Sequence, residues 1–262
     1  MKKGFLFTKV FILSLALLFG LTACGGEKAR DKKEDEGAKE PLIVGTEAGF
    51  APFEYVGENG EVLGVDIEIA QAIADKLGRE LQIKNMSFDG ALLEVQSGKI
   101  DLVAAGVNIT EERKKKMDFS EPYYKSSQVA VVNAETPAVT DIKEGAFEGK
   151  ILGAQLGTTG DIWATENAKA AEVRTYKQLA VAITDLQQNK IDAIIMDDIV
   201  ANEMVASTDG TVKVLDGKII EEETALALPK DSELMPVVNE VIKEMKEEGK
   251  IDELFKKHKK AE

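Results

Sequence analysis

The chain has 262 residues but only one cysteine, one histidine, and 33 Lys+Arg against 47 Asp+Glu, a formal charge of −14. Each shortage closes off a class of function. Without a basic surplus the chain has no electrostatic footprint for nucleic-acid phosphates. One cysteine allows no intramolecular disulfide, no thiolate zinc cluster and no redox pair. One histidine means that a Ser-His-Asp arrangement or a histidine metal site would have to run through His258. That residue lies in the segment Phe255-Lys-Lys-His-Lys-Lys260 and reads as a solvated tail residue. Long hydrophobic runs are missing as well. Val10 to Leu21, almost wholly apolar, has twelve residues, whereas a helix crossing a bilayer needs about 20.

That run follows Lys2, Lys3 and Lys9 and precedes Leu21-Thr22-Ala23-Cys24, so residues 1–23 read as a secretory leader outside the fold. The spacing is similar to the lipobox of bacterial lipoproteins. The resemblance implies cleavage before Cys24 and a diacylglycerol on its sulfur; an ordinary leader with an incidental cysteine is the alternative. Loss of the leader leaves 30 Lys+Arg against 47 Asp+Glu. From Gly25 to Glu40 the chain is glycine, alanine and mixed charge with no large apolar residue. Such a composition cannot bury a core, so residues 24–40 read as a disordered tether. It would reach about 60 Å fully extended or about 23 Å as a flexible coil.

From Pro41 onward, short β-branched runs alternate with amphipathic stretches, the pattern of an α/β fold. Leu42 to Thr46 predicts a buried strand. Asp66 to Leu77 predicts a helix with Ile67, Ala70, Ile73, Ala74 and Leu77 on one face, ended by Gly78. A strand over Leu81–Asn85, a helix over Gly90–Ser97 and a strand over Ile100–Gly106 follow. One feature occurs twice. Val95-Gln-Ser-Gly-Lys-Ile-Asp-Leu-Val-Ala104 and Leu186-Gln-Gln-Asn-Lys-Ile-Asp-Ala-Ile-Ile195 both read as helix end, turn, Lys-Ile-Asp and apolar strand. Gly98 and Asn189 hold the turn position, and glycine and asparagine accept the left-handed conformation most readily. Asp101 and Asp192 read as turn or cap residues. With a strand at Lys150–Ala154 and a helix at Asp161–Lys169 ahead of the second copy, the simplest reading is two lobes on one plan. The chain ends in a short apolar strand, Thr224 to Lys230, then two helical stretches between Leu234 and Lys259 broken near Gly249.

Several motifs then occur in order: Gly45-Thr-Glu-Ala-Gly-Phe-Ala-Pro-Phe-Glu-Tyr55, Gly64-Val-Asp-Ile-Glu68, Asn108-Ile-Thr-Glu-Glu-Arg113, Asp118-Phe-Ser-Glu-Pro-Tyr-Tyr124, Gln155-Leu-Gly-Thr-Thr159 and Leu226-Ala-Leu-Pro-Lys230. Together they resemble the polar amino-acid group of bacterial extracellular solute-binding proteins (family 3), the capture subunits of ABC importers. The resemblance implies a type II periplasmic-binding-protein-like fold with two α/β lobes joined by a two-strand hinge. The expected boundaries are residues 41–126 plus 226–262 for lobe one and 127–225 for lobe two, with crossings near Ser127–Val131 and Glu222–Ala225.

An amino acid carries a carboxylate and an ammonium, and burying it requires a partner for each. Arg113 falls in the first turn of a helix opened by Thr110, where its guanidinium can meet a carboxylate as a two-pronged pair. The resemblance gives it that role. Asp197 ends the second Lys-Ile-Asp strand, and the carboxyl end of a strand is where open α/β sheets bind ligands. The resemblance assigns it the ligand's ammonium, with Asp198 as the solvent-facing neighbour. Gly157-Thr-Thr-Gly160 opens a helix, and the resemblance uses Thr159 to close on the carboxylate, with Thr158 beside it; a plain glycine-rich turn is the alternative. Phe50 and Phe88 match aromatic positions that sandwich the ligand, suited to a flat amide or a guanidinium. Glu47 can pair with a cationic end or accept from an amide, and Gln155 adds a polar contact. Ala105, Gly106 and Asn108 would line the floor through backbone groups, although Asn108 replaces the usual Ser or Thr. Phe53, Phe119 and Tyr123 read as packing residues.

The sequence therefore predicts a monomeric, lipid-anchored extracytoplasmic protein that closes on a free amino acid and delivers it to a membrane permease. It calls for no cofactor, no metal and no nucleic acid. A basic ligand such as arginine or lysine is favoured, and a glutamine-like one comes next. The rival readings are a dehydratase-type enzyme acting on a small carboxylic acid on the same fold, with Glu47 as proton donor, and a ligand-presenting partner of a membrane sensor.

Overall fold

The computed structural model describes residues 39–259. The expected leader, Cys24 and the tether up to residue 38 lie outside the described residues. Along the chain run β1 (Leu42–Thr46), β2 (Gly49–Phe50), β3 (Glu54–Val56), β4 (Val62–Leu63), α1 (Val65–Leu77), β5 (Leu81–Asn85), α2 (Phe88–Gln96), β6 (Leu102–Val103), α3 (Glu111–Lys114), β7 (Asp118–Phe119) and β8 (Tyr124–Asn133). They continue with β9 (Ile151–Gln155), α4 (Thr159–Asn167), β10 (Glu172–Tyr176), α5 (Leu179–Gln187), β11 (Ala193–Asp197), α6 (Asp198–Ala206), β12 (Val212–Val214), β13 (Ile220–Thr224), β14 (Ala227–Leu228), α7 (Met235–Glu247) and α8 (Lys250–His258).

The strands form two main sheets. One runs β5-β1-β6-β14-β7 and the other β10-β9-β11-β8-β12, with β13 also on β8; β2, β3 and β4 make a small antiparallel sheet. β8 and β13 carry the chain between the main sheets and pair antiparallel from Tyr124 opposite Thr224 to Gln128 opposite Ile220. No helix among the described residues is long and apolar enough to cross a membrane.

The duplicated Lys-Ile-Asp segment does the same structural work in each sheet. Asp101 Oδ2 accepts from the Ile43 amide at 2.8 Å, and Asp192 Oδ2 accepts from the Ile151 amide at 2.7 Å. The Asp101 and Asp192 amides in turn donate to the carbonyls of Ile43 and Ile151. Each aspartate thus clamps a parallel neighbour, β1 or β9, to the strand that follows the aspartate, β6 or β11. Gly98 and Asn189 take positive φ, +67° and +54°, as their turn position requires. The repeated isoleucines explain a second shared residue. A Cβ at Gly45 would stand 2.6 Å from Ile100 Cδ1, and one at Gly153 would stand 2.7 Å from Ile191 Cδ1, so glycine lets each strand pass beneath without displacing the isoleucine. By this register Glu47 and Gln155 are equivalent positions, at the carboxyl ends of β1 and β9, and Gly106 and Asp197 are equivalent beyond β6 and at the end of β11.

The helices bury the faces that their periodicity indicates. Ile69, Ala70, Ile73 and Ala74 of α1 are fully buried and share a core with Val241, Ile242 and Met245 of α7 and Ile251 and Phe255 of α8. The same periodicity corrects the reading of His258 as a solvated tail residue. It lies three residues after Phe255 and seven after Ile251, on the docked face of α8, and is buried. Its Nε2 lies 2.6 Å from Glu68 Oε1 and its Nδ1 3.0 Å from Tyr55 Oη. The expected strand over Ile100–Gly106 is shorter, Leu102–Val103, because the chain bends away at Gly106 with φ +56°. The helix expected at Gly90 begins at Phe88, after the extended Ser87.

Because Asp192 accepts from the Ile151 amide at 2.7 Å, Asp192→Ala is expected to lower unfolding free energy by about 1–3 kcal/mol. Urea denaturation of the wild type and the variant measures this, with an unchanged m-value.

Candidate functional site

The carboxyl ends of β1, β9 and β11 and the turn after β6 face one cavity. Its lining contains every residue expected to bind: Glu47, Phe50, Phe88, Ala105, Gly106, Asn108, Arg113, Gln155, Thr158, Thr159 and Asp197. The cavity has a volume of only about 20 Å³. That is a slot for one or two waters, so an amino acid enters only if the walls part.

Arg113 is placed by a local device. Thr110 caps α3 by accepting from the Arg113 amide at 3.1 Å, which turns the side chain inward. Its Nη1 donates to the Asn108 carbonyl (2.6 Å) and its Nη2 to the Gly157 carbonyl (2.9 Å), and its guanidinium lies over the Phe88 ring, 5.5 Å from the centroid. Burial lowers its pKa to about 10, with the Glu222 charge acting in the opposite direction. Asp197 comes from the other sheet and is 2 % exposed. Its Oδ2 accepts from Asn108 Nδ2 at 3.0 Å, while Oδ1 has no hydrogen-bond partner among the described residues. Burial pushes it up to about 8, with Asp198 and Glu222 adding to the rise against the Asn108 hydrogen bond. Asp198 is only partly buried and begins α6.

Glu47 and Gln155, the equivalent pair, meet across the cavity: Gln155 Nε2 donates to Glu47 Oε2 at 3.0 Å. Burial raises the Glu47 pKa and this bond opposes the rise. Thr158 caps α4 by accepting from the Asp161 amide at 3.3 Å and donates its hydroxyl to the Gln155 carbonyl, so the expected helix opening is real. Phe50 forms part of the floor, stacked on Phe53 at 5.9 Å between centroids.

Two expectations need correction. The Gly106 amide is not offered to the cavity, since it donates to Asp66 Oδ2 at 2.9 Å. Asn108 acts through its side chain rather than its backbone amide: Nδ2 lies within 3.3 Å of Thr159 Oγ1, Asp197 Oδ2 and Glu222 Oε2, and Oδ1 accepts from Ser126 and Thr224 hydroxyls. An amide nitrogen carries two hydrogens, so these acceptors compete for it.

The sequence reading missed Glu222. Its Oε2 accepts from Thr159 Oγ1 at 2.7 Å and Gln128 Nε2 at 3.0 Å, at the point where β13 pairs with β8. Within Glu221-Glu-Glu223 nothing separates it from its exposed neighbours except strand alternation. Glu54, Gln128, Leu179, Ile195 and Met196 also line the cavity; of these Glu54 and Ile195 lay inside quoted motifs, and neither was singled out as a binding residue.

Residues 42–261 match the family model for bacterial extracellular solute-binding proteins, family 3. The chain belongs to this family. Among curated solute-binding relatives, the arginine-binding extracellular protein ArtP of Bacillus subtilis (strain 168) is 33 % identical over 253 residues, covering 95 % of this chain and 96 % of ArtP. The L-cystine-binding protein TcyJ of Escherichia coli (strain K12) is 33 % identical over 249 residues, covering 94 % and 92 %. Among solved structures, an ancestral arginine-binding protein bound to arginine is 37 % identical with a TM-score of 0.77, covering 84 % of this chain and 99 % of that one. An ancestral arginine-binding protein bound to glutamine has the same identity and TM-score, covering 84 % and 98 %.

In this solute-binding protein the buried acids set a pH dependence of their own. Asp197, up to about 8, and Asp66, up to about 7 chiefly by burial, both start from 3.8. Their folded-state affinity for protons exceeds that of the unfolded chain, so the stability they add is complete below about pH 4 and is lost as pH rises through 7 and 8. The thermal midpoint of the ligand-free protein should fall between pH 5 and pH 8.5, and Asp197→Asn should flatten the slope. A scanning-fluorimetry series at constant ionic strength tests this; a midpoint that is level or rising over that range contradicts it.

Proposed function

We propose that this protein is the membrane-anchored extracytoplasmic capture subunit of an ABC importer, closing two lobes around a free amino acid without chemical change. The lobes would be residues 41–126 plus 226–262 and residues 127–225, with β8 and β13 as the hinge. The observation that carries the reading is a buried guanidinium on α3 and a buried carboxyl group at the end of β11 that face one slot. Arg113 has only carbonyls as hydrogen-bond partners, and Asp197 keeps an unpartnered Oδ1. An α-carboxylate and an α-ammonium on one carbon supply what each lacks. A ligand that touches both lobes favours the closed state by its differential affinity for it.

In this reading Thr159 and Thr158 close on the ligand carboxylate, Phe50 and Phe88 flank the side chain, and Glu47 with Gln155 meets its end. Buried Glu47 favours a basic amino acid, arginine or lysine, with a glutamine-like ligand next. Relatives and neighbours named for arginine, and an ancestral arginine-binding protein solved with glutamine, support that order. The closed form would dock on a membrane permease as a monomer. The motif ending in Cys24 supports a lipid anchor at the cell membrane. Replacing Cys24 by serine should release the protein into the soluble extracytoplasmic fraction, which fractionation and blotting measure.

A thermal-shift screen of the soluble form, stripped of ligand, against the twenty amino acids should give stabilisation of about 2.7 kcal/mol at 100 times the dissociation constant. Stabilisation by none of them contradicts the reading. Arg113→Ala and Asp197→Ala should each weaken binding by several kcal/mol, since each leaves a buried ligand charge without its partner. Calorimetry showing unchanged affinity in either variant removes that residue from the site.

A further inference from the structure

Glu54 is a cavity carboxylate that the proposed chemistry leaves unused. It starts β3, opposite Phe50 in register, lines the cavity and is 1 % exposed. Neither Oε1 nor Oε2 has a hydrogen-bond partner among the described residues. The titratable groups around it are acids or a phenol: Glu47 after β1, Asp66 on α1, and Tyr123 before β8. The others are satisfied. Asp66 accepts from the Gly106 amide and from Tyr123 Oη at 2.5 Å, and Glu47 accepts from Gln155.

A buried carboxylate with both oxygens unpaired costs several kcal/mol while it is charged. The ligand-free protein therefore holds Glu54 protonated: burial first, then the charges of Asp66 and Glu47, push its carboxyl well above the usual range. A cation beside it reverses that balance. A guanidinium offers five N–H donors in a planar fork, enough to serve two carboxylates, while a neutral carboxamide offers two.

We propose that Glu54 is a specificity-determining residue, a second carboxylate that joins Glu47 in receiving the cationic end of the bound amino acid. This rests on the amino-acid reading of the site and narrows it to basic side chains, with guanidinium foremost. As the cation enters, the Glu54 O–H bond breaks, the proton leaves to solvent, and the carboxylate pairs with the ligand. One positive charge goes in and one comes out. A neutral ligand of the same shape leaves the proton in place.

Calorimetry at pH 6.5 in buffers of different ionisation enthalpy counts the protons released on binding L-arginine and L-citrulline, its uncharged near-isostere. Release at Asp197 follows from the α-ammonium of either ligand and cancels in the difference. The expected result is an additional release approaching one proton for arginine, with arginine bound more tightly on the order of tenfold or more. Glu54→Gln, shown to be folded by its melting curve, should lose the additional proton and most of the preference for arginine over citrulline. Glu47→Gln should weaken arginine but keep the additional release. The wild-type comparison stands without any variant. Equal proton counts for the two ligands, or an additional release that survives in Glu54→Gln, would overturn the proposal. Binding of citrulline or glutamine without arginine overturns it and leaves the amino-acid reading in place. Binding of no amino acid by the folded protein removes that reading and the proposal with it.

Discussion

The site is organised by two ionisable groups that the fold removes from water without pairing them to each other. Arg113, capped into place by Thr110 on α3, and Asp197, at the end of β11, come from different elements, and Arg113 is 7 % and Asp197 2 % exposed. Burying an ion without a partner opposes folding. The protein's partial answers are visible: backbone carbonyls around the guanidinium, Asn108 on one oxygen of Asp197, and a shift of both groups toward neutrality. A zwitterionic ligand completes what the fold leaves incomplete. In the proposed function that is why binding and closure are one event.

The duplicated architecture puts these groups opposite each other. In each sheet an aspartate clamps two parallel neighbours, β1 to β6 or β9 to β11, and a glycine passes under the isoleucine of the same Lys-Ile-Asp motif. Equivalent positions at the carboxyl ends of these strands then meet: Glu47, just after β1, with Gln155, the last residue of β9, across the slot. Two equivalent positions have become an acid and an amide, so one half supplies charge and the other a neutral donor. Where the strands β8 and β13 pair, Glu222 gathers donors from Thr159, Gln128 and Asn108. The Thr159 hydroxyl expected to close on a ligand carboxylate is thus already held by a carboxylate of the protein.

Much of this was legible in the sequence because it rests on local rules. The left-handed turns at Gly98 and Asn189, the Thr110 cap and the strand-end position of Asp197 each follow from a few adjacent residues. All eleven expected site residues line one cavity. What escaped depends on contacts between distant segments. His258 looked like one more residue of a basic tail until α8 docked and set it between Glu68 and Tyr55. Glu222 looked like its neighbours because its partners are 63 and 94 residues away. Gly106 lost its amide to Asp66, 40 residues earlier. Asn108, standing where Ser or Thr was expected, reaches Asp197 at the end of β11, 89 residues away, with its side chain.

The central claim is that a ligand held at both ends draws two lobes together. Val56 and Val181 are exposed and stand on the walls of the groove leading to the slot. In a soluble form without Cys24, cysteines at these two positions would be the chain's only thiols. Pulsed dipolar spectroscopy between spin labels on them reports the lobe separation directly. The account predicts a broad or longer distance distribution without ligand that collapses to one shorter population with the bound amino acid. A distribution that a saturating ligand leaves unchanged would contradict it.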